Sequence, residues 1–154
     1  MAGSDDETLP LDQQEDASDL DLQRDWSAGA TLWSTDWTTE TVIAQLKRGN
    51  INLNPRYQRR NAWKAARKSL FIESLILGLP IPQIILAEEK KRRGRFIVID
   101  GKQRLLALRQ FASSPDDDEF PQLRLSGLVD REDLNGATYQ SLYADQNFRN
   151  ELNN

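Results

Sequence analysis

The sequence predicts an α+β fold, and three observations carry that expectation. Two apolar runs, Ile84–Ala87 and Phe96–Ile99, flank a short basic segment and read as neighbouring strands. Segments with apolar residues at helical spacing lie around them, without regular βαβ alternation. At 154 residues, the chain is also sized for one domain with a substantial core.

The elements follow in order. Residues 1–30 hold nine acids and one base, a net charge of −8, with few apolar side chains. Such a segment buries too little surface to offset its ordering entropy, so it is expected to be a disordered acidic tail before a domain at 31–154. It fits a solubilising role, or that of a nucleic-acid mimic covering the basic middle of the chain. Thr38 or Thr39 is placed to cap a helix, with Glu40 in its first turn and Val42, Ile43 and Leu46 on its apolar stripe. Gly49 stops it. Ile51–Leu53 reads as a short strand ending at Asn54-Pro55. Pro55–Trp63 has no period and reads as a loop.

Lys64–Leu77 reads as a helix. Leu70, Phe71, Ile72, Leu75, Ile76 and Leu77 are too many for one narrow stripe, so burial on more than one side is expected. The unbroken Phe96–Ile99 run predicts a strand buried on both faces, paired antiparallel with Ile84–Ala87. A further helix is expected over Lys102–Ala112. A short strand is expected at Leu123 and Leu125, a turn over Asp130–Gly136, and short helices around Tyr139–Tyr143 and Phe148–Leu152.

Composition excludes several chemistries. There is no cysteine and no histidine, so these residues form no disulfide, no Cys/His zinc site, no Ser-His-Asp or Cys-His set and no HNH-type nuclease centre. No apolar run approaches a membrane span, and the acidic start lacks a signal peptide's basic region. A soluble, cytoplasmic protein is expected.

Charge falls in blocks. Residues 31–115 hold 16 bases and 6 acids, and residues 116–154 hold 3 bases and 9 acids. The bases cluster at Arg56/Arg59/Arg60, Lys64/Arg67/Lys68 and Lys90–Arg95. With an overall pI near 4.9, a local basic face suits a phosphate pocket or docking groove better than general nucleic-acid coating. The Lys90–Arg95 run also fits a solvated hairpin turn.

The most specific segment is Val98-Ile99-Asp100-Gly101-Lys102-Gln103-Arg104-Leu105. A strand ends in an acid, glycine turns the chain, and a helix begins at once. Helix starts carry unpaired N–H groups and partial positive charge, and so bind phosphates. Lys102 and Arg104 add charge there, and Asp100 could hold a divalent cation. Alternatively, Asp100 caps the helix and Arg104 pairs with a carboxylate. In Pro55–Trp63, Tyr57 and Trp63 interleave with arginines. They fit base stacking with phosphate contact, or a loop stapled to the core.

Taken in order, Tyr57-Gln58-Arg59…Trp63, Leu75–Gly78, Pro80-Ile81-Pro82 and Asp100-Gly101-Lys102-Gln103-Arg104 resemble the N-terminal domain of GmrSD-type type IV restriction endonucleases. The family hallmark is Asp-Gly-Gln-Gln-Arg, from which Lys102 departs. The resemblance implies a ParB/sulfiredoxin-like fold, a small mixed sheet with packed helices. It implies nucleoside triphosphate binding and hydrolysis in modification-dependent restriction, an anti-phage defence. Asp100, with Mg2+, and Arg104 would be catalytic. Gly101, Lys102, Gln103 and Arg104 would bind the nucleotide, faced by Tyr57, Gln58 and Arg59. The basic residues Arg60, Lys64, Arg67 and Lys68 would contact DNA. The alternative is a DNA- or nucleotide-binding module without turnover; a third reading is a scaffold for a partner protein. Family members add a nuclease domain or pair with a nuclease chain, so this chain is expected to be a fragment or one part of a split system.

Overall fold

The computed structural model describes residues 31–33, 37–53 and 62–153. The predicted acidic tail and Tyr57, Gln58, Arg59 and Arg60 lie outside the described residues.

A four-stranded mixed sheet organises the chain. Its strands are β1 (Thr31–Trp33), β2 (Ile51–Asn52), β3 (Ile85–Glu88) and β4 (Phe96–Asp100), in spatial order β1-β3-β4-β2. β3 and β4 pair antiparallel, as the basic turn between them requires. β1 adds antiparallel to β3, with Thr31 opposite Glu88. β2 adds parallel to β4, with Ile51 opposite Phe96, so it points toward the end where Asp100 lies. β1 was not expected, because three residues carry too little pattern to read.

The helices are α1 (Thr39–Lys47), α2 (Ala65–Ile76), α3 (Lys102–Phe111), α4 (Tyr139–Tyr143) and α5 (Gln146–Asn153). Their core holds Phe71, Ile72, Leu105 and Phe111, all fully buried, with Phe96 and Val98 of β4 reaching into it. α2 contacts α3, α1 contacts α3, and α5 packs on α1 and α2.

Three expectations need correction. β4 is not buried on both faces: Phe96 and Val98 are buried, whereas Ile97 and Ile99, which alternation turns to the other face, are half-buried. Leu123 and Leu125 form no strand. The Leu123 amide donates to the Gln110 carbonyl (2.9 Å) at the end of α3, and the Leu125 amide to Ala137 (2.9 Å), so no ladder develops although both side chains are buried. The 130–136 turn contains one 3-10 turn at Glu132–Leu134, which buries Leu134. α2 meets its expectation of wide burial, yet leaves Leu70 and the adjoining Leu77 exposed.

Candidate phosphate corner at the starts of α2 and α3

β4 delivers Asp100 to the sheet end, opposite Ile85 and beside a bulge between Ile85 and Leu86. Bulges re-aim side chains at strand ends. Gly101 then takes φ +98°, in the left-handed region, and serves as the N-cap of α3. A Cβ there would stand 3.0 Å from Ile84 Cγ1 and 3.4 Å from Arg104 Nη2. Both the backbone angle and the close approach therefore call for glycine.

Arg104 sits one turn into α3. Its side chain is 1% exposed, and Nη2 lies 3.6 Å from Oδ1 of Asp100, whose own side chain is 42% exposed. That separation makes an ion pair looser than a direct hydrogen bond. A buried guanidinium is thus held against a carboxylate that opens to solvent. The Leu105 amide donates to the Gly101 carbonyl (2.9 Å), so the amides of Lys102 and Gln103 precede the first intrahelical bond. As a glycine, the N-cap supplies no side-chain cap bond, and the first turn holds no acid.

The start of α2 has the same character. Its N-cap is Lys64, with no side-chain cap bond and no acid in the first turn. One hydrogen bond brings the two starts together: the Trp63 amide donates to Gln103 Oε1 at 3.1 Å. Trp63 is buried, with the Arg67 guanidinium 4.8 Å over its ring, and its indole N–H is buried with no acceptor among the described residues. Burial pulls the Arg67 pKa below its ordinary value.

The sequence-predicted residues therefore divide. Asp100, Gly101, Lys102, Gln103 and Arg104 form one corner, and the Trp63–Gln103 bond brings the start of α2, with Lys64 and Arg67, up to it. Lys68 does not join them. It is 7% exposed and donates from Nζ to Gln110 Oε1 at 2.6 Å, and burial lowers its pKa. Its ammonium is used inside the helix pair, bonded to Gln110 of α3. Tyr57, Gln58, Arg59 and Arg60 lie outside the described residues, though their flanks Leu53 and Trp63 are described and buried. The roles of the Trp63 amide and of Ile84 over Gly101 were not foreseen. A backbone donor leaves no residue-type signal, and Ile84 reads from sequence only as the first residue of an apolar strand.

The arrangement suits an oxyanion. Two helix starts, with Lys64, Lys102 and the buried Arg104, concentrate positive potential at one place, while Asp100 supplies one carboxylate. Among the described residues no group of three or more acids could cage a metal. The donor set fits Mg2+ of the kind carried by phosphates, which takes one or two protein carboxylates.

The family model for the N-terminal domain of GmrSD restriction endonucleases matches residues 40–154, from α1 through α5 and across both helix starts. The chain belongs to this family. It is accordingly a component of a restriction, or defence, system. Searches of curated proteins and of solved structures found no match. Among the described residues, no helix of this GmrSD N-terminal domain is long and apolar enough to cross a membrane.

Proposed function

We propose that the chain is the nucleotide-binding and nucleotide-hydrolysing regulatory domain of a modification-dependent restriction system. On this reading it acts in the cytoplasm on a nuclease supplied by another domain or chain, and has a ParB-like fold. The observation that carries the reading is the convergence of two acid-free, basic helix starts on one corner through the Trp63–Gln103 bond.

The corner's residues have distinct tasks. Lys102 and the α3 amides would hold phosphate oxygens at the helix start. Arg104, fixed by burial, would stabilise charge that develops as the terminal phosphate separates. Asp100 would orient an attacking water, or ligate Mg2+, which lends charge neutralisation to the phosphates. The buried indole N–H of Trp63 is a donor still needing an acceptor, and a ligand oxygen would satisfy it. Tyr57, Gln58 and Arg59 would face the base, while Arg60, Lys64 and Arg67 would extend positive charge toward DNA.

One observation favours a second reading, a binding module without turnover. Asp100 is the only carboxylate between Glu89 and Asp116, and it is already paired with Arg104. The test is phosphate release from GTP, CTP, UTP and ATP with Mg2+, for the wild type and Asp100→Ala. Hydrolysis of at least one nucleotide is expected, slowed roughly 100-fold or more by the substitution. Binding without release by the folded wild type selects the second reading. Absence of both binding and release removes the first reading and leaves the second with DNA as its only ligand.

A further inference from the structure

A second positive region lies at the opposite end of the β3–β4 pair. The turn from Lys90 to Arg95 exposes five bases. It is held as a rigid loop: the Glu89 amide donates to Arg95 O (2.8 Å), and the Gly94 amide to Glu88 Oε1 (2.7 Å). Beside it opens a cavity of about 320 Å3, whose cationic lining is Lys47, Arg92, Arg95 and Arg109, against Glu89 and Glu119. Arg109 is tied to Asp117 at 2.8 Å, and its buried Nε has no partner among the described residues. None of these groups belongs to the Asp100 corner.

The strand register decides what comes near this region. β1 runs antiparallel to β3 with Thr31 opposite Glu88, so the chain before Thr31 enters the sheet at the end that carries the basic turn. That chain is the acidic block, with nine acids against one base in residues 1–30. Asp25 lies six residues before Thr31, a reach of up to about 20 Å. The three strand spacings from β1 to β2, where the cavity opens, come to roughly 15 Å. Glu15, Asp16, Asp19, Asp21 and Asp25 are thus tethered within range of the turn and the cavity. A short tether gives an effective concentration on the order of millimolar, enough for weak charge pairing to hold.

We infer that the Lys90–Arg95 turn and its arginine-lined cavity form a docking surface for an acidic peptide, occupied in this chain by its own residues 12–25. The acidic segment is then a built-in competitor for polyanions at this face, distinct from the phosphate corner.

The experiment is zero-length carboxylate-to-amine cross-linking of the full chain, without nucleotide or DNA, read by peptide mass spectrometry. A mixture of isotope-labelled and unlabelled chains separates links within a chain from links between chains. Links from residues 12–25 to Lys90, Lys91 and Lys47 are expected within one chain. They should fall about fivefold or more at 0.5 M salt, where screening is short-ranged. R92E/R93E, which keeps the reporter lysines on an exposed turn, should reduce them similarly. Links made mainly to Lys64 or Lys102, links only between chains, or a pattern indifferent to both salt and R92E/R93E would overturn the inference. Displacement of nothing by added acidic peptide, with DNA alone protecting the lysines, would make DNA the occupant and also overturn it. The readout involves no hydrolysis, so its failure and that of the nucleotide reading are separable.

Discussion

The start of α1 and the starts of α2 and α3 solve the same problem in opposite ways. Every helix begins with amides that lack intrahelical partners and with a partial positive charge. α1 answers with its own side chains: Thr38 Oγ1 accepts from the Thr41 amide at 3.1 Å, and Glu40 lies in the first turn. α2 and α3 have a lysine and a glycine at the N-cap, no cap bond and no acid in the first turn, and they add Lys102, Arg104 and Arg67 where like charge is unfavourable. A helix start that neglects its own electrostatics is at odds with local stability rules. Such departures concentrate where a ligand completes the structure. α1 is a start satisfied by its own side chains, whereas the α2–α3 pair, on the proposed reading, is left for an anion.

Arg104→Ala should break the second kind of start most severely. It empties a fully buried site and removes the cation beside Asp100. Because Asp100 is partly solvated, the loss should fall somewhat short of that for a fully buried pair, at about 2–4 kcal/mol in urea unfolding. Arg104→Lys should recover part of the stability but not nucleotide affinity, since it loses the planar fork. Equal nucleotide binding by both variants and the wild type would detach Arg104 from the site.

Gly101→Ala ranks next. It imposes φ +98° on an L side chain and drives a Cβ to 3.0 Å from Ile84 Cγ1. A cost of about 1–3 kcal/mol is expected by chemical denaturation. An Ile84→Ala, Gly101→Ala double variant should recover only the steric share. Full recovery would mean that the backbone angle is unimportant. At the conventional start, Thr38→Ala should cost about 1 kcal/mol and leave ligand binding untouched. A binding change there would erase the contrast between the two kinds of helix start.

Much of this was legible in the residues themselves. Asp100-Gly101 before Lys102-Gln103-Arg104 announced a strand-to-helix corner because glycine and helix-start chemistry are local. The same locality made α1, with Thr38 and Glu40, readable to within a residue or two. What escaped was non-local. Lys68 is spaced like its basic neighbours, and only the packing of α2 on α3 turns it toward Gln110. Leu123 and Leu125 alternate like a strand, yet their amides are taken by Gln110 and Ala137 from other elements. Trp63 reads as a stacking or stapling ring, and its burial against Phe71 agrees with stapling, but the link its backbone amide makes between the helix starts was not legible.

Lys102→Glu has the smallest expected effect on stability and the sharpest meaning. An acid in the first turn of α3 favours the helix dipole, so unfolding should become harder by about 0.3–1 kcal/mol at low salt. The same change places negative charge where a phosphate would sit, and nucleotide affinity should fall about tenfold or more. Stability and binding would then move in opposite directions at one residue, as expected where a helix start is kept imperfect for a ligand. Gains in stability with no loss of binding would leave Lys102 as a lysine on a poorly capped helix, and α3 would then differ from α1 only in how well it is capped.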